Sequence, residues 1–179
     1  MNTLETLNKR KSVRTYTEEP VSDNDLTTIL ECAWCSPVGM KQYDSLRLTI
    51  IKNQELLESI EENACIFMHK EDYKPLYGAK TLIIVSSNQV LENQNVAYSN
   101  CAIVAHNMAL GAVELNLGSC YIWGAIIALA QNKSLVAKLN LEEGFIPCCG
   151  IILGHTTEKY TPRILPKNRI QTNVIDEAS

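Results

Sequence analysis

The chain has 179 residues, of which 46% are hydrophobic and 20% are charged, and its net charge is −4. This composition excludes a disordered or collagen-like chain and argues against a nucleic-acid binder whose whole surface is basic. It provides enough apolar side chains for one hydrophobic core, so we expect a single domain over residues 1–179.

The cysteines and the N-terminus indicate the cellular compartment. Seven cysteines are an odd number, in a chain too long for a disulfide scaffold. The first residues, MNTLETLNKRKSVR, contain no apolar segment of the kind that a secretory signal needs. The uncharged stretch 93–113 contains His106 and Asn107, which makes it too polar for a membrane span and typical of a buried helix. We therefore expect a cytoplasmic protein with free thiols.

Hydrophobic periodicity predicts alternating helices and strands. The first clear element is an amphipathic helix with Ser22 as its N-cap and acidic residues in its first turn. The predicted helices cover residues 22–35, 54–63, 95–117 and 128–139. The predicted strands cover residues 46–51, 81–86, 120–122 and 145–153, the second of them apolar throughout and therefore buried on both faces. This order predicts an α+β fold, an α/β sandwich with a central mixed sheet flanked by helices.

The longest predicted helix, residues 95–117, is apolar around nearly its whole circumference, and Gly118 is positioned to end it. Such a helix must be buried on all sides. A domain of this size seldom surrounds a helix alone, so we expect a second subunit to cover part of it.

Positive charge is concentrated in two segments that contain no acidic residue. The segments hold eight of the sixteen basic residues, namely Lys9, Arg10, Lys11 and Arg14 in the first and Lys159, Arg163, Lys167 and Arg169 in the second. Arginine and lysine in such a setting indicate an anion site, to which the Ser12 hydroxyl could add a donor. Two solvated basic surfaces are the alternative, and sequence separation does not decide whether the two segments meet.

Four motifs in chain order resemble the FMN-dependent nitroreductase family of NAD(P)H oxidoreductases, of which this chain would be a short member. RKSVRTY at 10–16 resembles the family's opening R-R-S-[IV]-R-x-[FY], and LGSCYIWG at 117–124 resembles the stretch after its central helix. CGIILGH at 149–155 is similar to its last core strand, and LPKNR at 165–169 to its terminal L-P-K-x-R. The resemblance implies the nitroreductase-like fold, with the long central helix at the interface of a homodimer.

The resemblance also implies a set of cofactor-binding residues. Arg10, Lys11 and Ser12 match positions that hold the FMN phosphate and ribityl chain, and Arg14 matches the cation near the pyrimidine edge of the flavin ring. Lys167 and Arg169 match a C-terminal phosphate clamp, which gives the second basic segment a role.

Two further segments are expected beside the flavin ring. In one, the backbone N–H groups of Trp123 and Gly124, which follow Ile122, match positions that face flavin N5 and O4. The other matches a loop that reaches the flavin from the partner subunit and consists of Ser36, Pro37, Val38, Gly39, Met40 and Lys41.

The chain departs from the family pattern at three positions and in the length of one connecting segment. Lys41 replaces an asparagine that usually touches the flavin, Ser45 replaces a tryptophan, and Asn116 replaces a glycine. Lys41 lies either near the flavin or in solvent. The short segment between the helix at 54–63 and the strand at 81 leaves little room for a helix that covers the substrate.

The implied function is the reduction of nitroaromatic, quinone or related acceptors by NAD(P)H in ping-pong hydride transfer through flavin N5. The flavin carries the chemistry, so no catalytic side chain is assigned. Three alternatives remain: the same fold in enone or dehalogenating reduction, a flavin-binding protein without turnover, and an anion- or nucleic-acid-binding module built on the basic segments.

Other candidate motifs are weaker. Cys32 and Cys35 have the spacing of a redox pair but stand at the end of a helix, where two structural cysteines are the favoured interpretation. Cys148 and Cys149 fall in a predicted core strand and face opposite ways. The histidines, at 69, 106 and 155, are scattered, so no metal site is predicted. Neither a Walker loop nor G-x-G-x-x-G occurs, which argues against a Rossmann nicotinamide site.

Overall fold

A four-stranded sheet forms the centre of the computed structural model, which describes residues 2–166 and 168–176. Its strands are β1 (Leu46–Ile51), β2 (Thr81–Ser87), β3 (Gly118–Ile122) and β4 (Ile146–Gly154), in the order β1-β2-β4-β3. Every neighbouring pair of these strands is antiparallel, so the expected mixed sheet is wrong. The physical reason is that the connection from β1 to β2 returns to the same end of the sheet. The last residue of β1, Ile51, therefore pairs with Leu82 at the start of β2.

Helices cover both faces of the sheet. They are α1 (Thr3–Lys9), α2 (Asp23–Trp34), α3 (Gln54–Met68), α4 (Gln94–Glu114), α5 (Gly124–Ala130) and α6 (Lys133–Ala137). Alternate residues of β2 enter different cores, Ile83 packing with residues of α2 and α4 and Leu82 with residues of α3, α5 and α6. The chain is therefore a three-layer α+β sandwich, which confirms the predicted fold class.

Capping side chains explain where several helices begin and end. Ser22 is the N-cap of α2 as predicted, and its hydroxyl accepts a hydrogen bond from the Asp25 N–H at 3.0 Å. The predicted helix at 128–139 is two helices, because the Asn132 side chain accepts from the N–H groups of Ser134 and Leu135 and starts α6 anew. Helix α3 continues to Met68, beyond its predicted end.

Asn116, rather than Gly118, ends the long helix α4. Asn116 has φ +55°, its N–H donates to the Val113 carbonyl at 3.1 Å, and the Leu117 N–H donates to the Ala112 carbonyl at 2.8 Å. This is the Schellman arrangement, in which asparagine can replace glycine. Gly118 is thereby free to be the first residue of β3.

Helix α4 lies in the core but is not covered all round by its own chain. By length and composition it could cross a membrane, yet more than half of its apolar window is buried inside the protein, as predicted for a core helix. Ser99, Ile103 and His106, at helical spacing, form an exposed stripe. This stripe is the part of the helix that another surface could cover.

Candidate functional site

The first basic segment crosses the ends of β3 and β4. Its backbone is fixed by two hydrogen bonds, from the Val13 N–H to the Ser119 carbonyl at 2.8 Å and from the Thr17 N–H to the His155 carbonyl at 2.9 Å. Val13 is fully buried between these bonds, whereas its neighbours Ser12 and Arg14 are accessible. The extended backbone thus turns one side chain into the core and presents its polar neighbours to the surface.

Two glycines of the recognised motifs make this crossing possible. Gly118 of β3 and Gly154 of β4 lie directly opposite each other in the sheet. A Cβ atom at Gly118 would lie 2.8 Å from Val13 Cγ1, and one at Gly154 would lie 2.8 Å from Tyr16 Cδ1. Both distances are shorter than a carbon–carbon contact allows, so a side chain at either position would displace the basic segment. The two glycines therefore let this segment pack directly on β3 and β4.

The second basic segment joins the first over its N-terminal part. The Arg163 side chain donates to the Asn8 carbonyl at 2.7 Å, and its backbone N–H donates to Asn8 Oδ1, also at 2.7 Å. Lys11 forms an ion pair of 2.7 Å with Glu158, the residue just before the segment. The two segments, separated by more than 140 positions, therefore meet at residues 8–11 and 158–163.

The C-terminal end of the second segment is less defined. Arg169 is exposed and forms no ion pair within residues 2–166 and 168–176. Lys167 lies outside the described residues. The joint role of these two cations therefore stays a prediction.

Uncompensated positive charge remains where the segments meet. Hydrogen bonding to Lys11 is the main cause that lowers the pKa of Glu158, and the backbone N–H and the charge of Arg14 lower it further. Arg10 and Arg14 form no ion pair with an acid in the described part of the chain. Burial, and then the charge of Arg10, lowers the pKa of His106 on α4. This surface can accept an anion, because neither arginine forms an ion pair there.

Aromatic side chains lie on one side of Arg14. Its guanidinium carbon is 5.7 Å from the centre of the Tyr77 ring, and hydrogen bonding to Tyr77 is the main cause that raises the pKa of Arg14. The rest of this region follows β3: the Trp123 side chain is 55% exposed, and a Cβ at Gly124 would lie 3.7 Å from the Tyr73 hydroxyl. Ile122 is buried in the core, so only its backbone can face a ligand.

The two tyrosines of the segment between α3 and β2 are residues that sequence reasoning missed. The motifs that indicated Arg14 and Trp123 are local in sequence, and they contain no information about which loop packs beside them. The available signal was the placement of two large aromatic residues, Tyr73 and Tyr77, in a short loop directly before a buried strand.

The loop of residues 36–41 is held by two asparagines of α4. The Asn107 side-chain amide donates to the buried Ser36 hydroxyl at 2.9 Å, and the Gly39 N–H donates to Asn100 Oδ1 at 3.1 Å. Of the remaining loop side chains, Val38 is buried, while Pro37, Met40 and Lys41 are exposed.

The tip of this loop has an unusual backbone. Met40 and Lys41 both have a left-handed conformation, with φ +53° and +57°, and Met40 is 82% exposed. Such a conformation is uncommon for side chains of this size and needs firm support. Within the described residues no hydrogen bond or ion pair joins the loop to the basic segments of its own chain.

One buried polar atom beside this loop has no partner. Asn100 is nearly fully buried, and its Oδ1 is engaged by the Gly39 N–H, but its Nδ2 finds no hydrogen-bond acceptor in the part of the chain that the structure describes. Buried donors are nearly always satisfied in native proteins. The contact that Asn100 makes with the loop is therefore the hydrogen bond that its Oδ1 accepts from Gly39.

Cys32 and the cysteines of β4 are placed as structural residues, whereas Cys35 is exposed. Cys32 packs against Gly111 of α4, where a Cβ would lie 2.7 Å from its sulfur, and burial raises the pKa of the Cys32 thiol. A raised pKa makes a poor nucleophile. Cys148 and Cys149 are buried in β4 in the same hydrophobic core, so the expectation that they face opposite ways is wrong, because the strand register shifts at this point. Among the described residues no three His, Cys, Asp or Glu side chains converge in a way that could hold a metal ion.

Comparisons with known proteins agree with one another. The model of the family described as "Nitroreductase family" matches residues 7–155. A protein of Methanothermobacter thermautotrophicus, named as an NADH dehydrogenase/NAD(P)H nitroreductase, is 28% identical over 88% of this chain and 79% of its own length.

Solved structures resemble the whole fold. A nitroreductase with bound FMN from Desulfitobacterium hafniense superposes with a TM-score of 0.83 at 25% identity, over 97% of this chain and 100% of that chain. A nitroreductase with bound FMN from Bacteroides fragilis superposes with a TM-score of 0.79 at 27% identity, over the same shares of the two chains.

Proposed function

Because the chain belongs to the nitroreductase family of flavin-dependent oxidoreductases, we propose that it binds FMN and uses NAD(P)H to reduce nitroaromatic, quinone or related acceptors. The observation that carries the proposal is the pair of arginines without an ion pair, Arg10 and Arg14, on a segment whose backbone is fixed to Ser119 of β3 and to His155 after β4. A phosphate and an electron-rich ring edge are the chemical groups that such cations recognise.

The residues present fit the cofactor. A phosphate needs cations that are not already neutralised, and Arg10 meets this condition, with the Ser12 hydroxyl nearby in the sequence. A planar ring needs close approach to backbone, which Gly124 allows at the start of α5. The tip of the loop of residues 36–41, where Met40 and Lys41 are exposed and left-handed, is open to a further group.

When bound, FMN supplies the redox chemistry by accepting a hydride from NAD(P)H and passing reducing equivalents to an acceptor in ping-pong alternation. The chain's own residues bind and orient it. Arg10 and Ser12, with Lys167 and Arg169, would hold the phosphate and ribityl chain, and Lys11 would join them by exchanging its ion pair with Glu158 for the phosphate. Arg14 would place a positive charge where negative charge develops on reduction. The backbone N–H groups at Trp123 and Gly124 orient the ring.

We propose that the chain works as a homodimer in which the loop of residues 36–41 reaches the flavin of the partner. Three surfaces support a dimer: the exposed stripe of α4, an open groove of about 360 Å³ between α2 and β1, and the exposed apolar residues at 164–175. Exposed apolar side chains in these surfaces, among them Ile103, Trp34 and Ile170, are of the kind that a partner surface covers. An obligate interface here should bury more than roughly 2,000 Å².

The remaining proposals concern the chain as a whole and Lys41. The chain acts as one domain over residues 1–179, and it works in the cytoplasm, where its seven thiols remain reduced. Lys41, exposed at the tip of the loop, adds positive charge near the flavin or the acceptor.

The test is the spectrum of the purified protein. We expect a yellow protein that releases FMN on denaturation and whose flavin absorption bleaches with NADH or NADPH under anaerobic conditions and returns on addition of an acceptor. Arg14→Ala should weaken FMN binding, whereas the matched control Lys52→Ala removes a cation that is paired with Asp23 and should leave binding unchanged. A colourless protein that does not bind added FMN would contradict the proposal. Retained flavin without bleaching would identify a flavin-binding protein without turnover.

A further inference from the structure

The loop between α3 and β2 is short but firmly anchored. The Leu76 N–H donates to Glu61 Oε1 at 2.9 Å, and the Cys65 thiol donates to the Tyr73 carbonyl at 2.7 Å, so two side chains of α3 hold the loop backbone. Pro75 and Leu76 are buried. We call residues 73–78 the tyrosine loop.

The end of the tyrosine loop has a conformation that its sequence disfavours. Tyr77 has φ +52° and Gly78 has φ +78°, so two consecutive residues are left-handed. Glycine adopts this conformation freely, but a tyrosine rarely does, and such residues persist only where the surroundings determine them. The Glu61 bond to the preceding residue and a turn bond from the Tyr77 N–H to the Lys74 carbonyl at 3.1 Å provide that determination.

The conformation has one visible consequence, the position of the Tyr77 ring against Arg14. The ring centre lies 5.7 Å from the guanidinium carbon, which is within range of a cation–π interaction. Arg14 forms no ion pair among the described residues, although the charge of Glu158 acts on it at longer range. Tyr77 is therefore the side chain seen in direct contact with this exposed guanidinium. A long arginine side chain that is held in one rotamer has already lost the entropy that binding would otherwise remove.

We propose that Tyr77 is a positioning residue that fixes the Arg14 guanidinium at the flavin site and thereby sets the reduction potential of the cofactor. The inference rests on the proposed function, because it assigns the Arg14 charge to FMN. A cation held in place stabilises a reduced, negatively charged ring more than a mobile one does, since no reorganisation is needed when the charge develops. Tyr77 acts through Arg14 and has no part in the transfer of hydride.

Two substitutions distinguish the effect of the Tyr77 ring on Arg14 from a general effect on folding. Tyr77→Asn removes the ring, and asparagine tolerates the left-handed conformation, so the variant should fold. Tyr77→Phe keeps the ring face and removes the hydroxyl that hydrogen-bonds to Arg14, so it separates the two contacts. His69→Asn is the matched control, because His69 is also left-handed, with φ +51°, ends α3 next to the same loop and is exposed.

The first measurement is the midpoint potential of the bound flavin, together with the Kd of the apo-protein for oxidised FMN. We expect Tyr77→Asn to lose about tenfold in affinity for reduced relative to oxidised FMN, which for a two-electron couple is a fall of about 30 mV. Tyr77→Phe should keep most of the wild-type potential, and His69→Asn all of it. A Tyr77→Asn protein that binds FMN with the wild-type potential would overturn the inference, while the proposed function would stand.

The second measurement needs no cofactor. In the NMR spectrum of the wild-type apo-protein, the Arg14 Nε–H resonance should be displaced by the Tyr77 ring current, and it should move to the ordinary arginine position in Tyr77→Asn but not in Tyr77→Phe. An undisplaced Arg14 resonance in the wild type would overturn the inference. A wild-type chain that binds no FMN would instead contradict the proposed function, and this spectrum would still show whether Tyr77 holds Arg14.

Discussion

Gly118→Ala should destabilise the protein and weaken FMN binding through one steric contact. The new Cβ would lie 2.8 Å from Cγ1 of the fully buried Val13 and 3.1 Å from the Tyr16 ring. Overpacking of this kind usually costs about 1–3 kcal/mol, of which the better strand preference of alanine returns roughly 0.5–1 kcal/mol. Displacement of Val13 also weakens its hydrogen bond to the Ser119 carbonyl, which contributes about 1 kcal/mol. We expect a net loss of about 1–3 kcal/mol in the free energy of unfolding.

The effect on the cofactor follows from the position of the clash. Val13 lies between Ser12 and Arg14, so its displacement moves two proposed FMN contacts, and a loss of about 1.4 kcal/mol in binding is a tenfold increase in Kd. Urea denaturation of the apo-protein gives the first quantity, and fluorescence titration with FMN gives the second.

A control with a similar clash elsewhere makes this result interpretable. In Gly111→Ala the new Cβ would lie 2.7 Å from the Cys32 sulfur between α2 and α4, away from the basic segment. This variant should lose stability but bind FMN with unchanged Kd. The reasoning would be refuted if Gly118→Ala left both quantities unchanged, or if the two variants lost FMN affinity equally.

Three further predictions concern charged side chains. Arg169→Ala and Lys167→Ala should each weaken FMN binding. For Arg169→Ala we expect a loss of about 1.5–3 kcal/mol, the range for a hydrogen bond to a charged group. Unchanged Kd values in both variants would show that the C-terminal segment does not hold the phosphate. Lys41→Asn should lower the flavin midpoint potential and slow the turnover of anionic acceptors more than that of neutral acceptors. An unshifted potential, with equal effects on the two kinds of acceptor, would place this side chain in solvent. The lowered pKa of Glu158 means that its pair with Lys11 stabilises the fold above the ordinary glutamate pKa of about 4.3 and loses this contribution as the pH falls through the lowered value. Glu158→Gln should therefore reduce the free energy of unfolding at pH 7, by under about 1 kcal/mol because the pair is one-third exposed. The difference from the wild type should shrink as the pH falls through the lowered pKa of Glu158, and a difference that does not change with pH would contradict this sign.

Much of the fold could be predicted because the signals are local. The capping side chain of Ser22 predicts the start of α2, and the apolar run of β2 indicates a strand that is buried on both faces. The relative direction of two strands is not a local property of the sequence. Strands β1 and β2 are antiparallel because the connection through α3 returns to the same end of the sheet, and hydrophobic periodicity does not indicate where a connection ends. The end of α4 was misplaced because glycine is the usual stop signal, whereas here Asn116 takes the left-handed position.

The candidate site was predictable only in part. The motifs indicated which residues could bind an anion, but whether the two basic segments meet depends on the contact of Arg163 with Asn8, which long-range packing decides. The role of Gly118 and Gly154 could not be read from the sequence either, because it follows from their pairing across β3 and β4. Tyr77 was missed for the same reason, since its contact with Arg14 is made by a loop with no motif of its own.

The most direct test of the account is sedimentation velocity of the FMN-loaded protein at micromolar concentration, recorded at the flavin and the protein absorption bands. The account predicts that all flavin absorption sediments with a dimer, at one FMN per chain. Flavin that sediments freely would contradict FMN binding, and a stable flavin-loaded monomer would contradict the shared site.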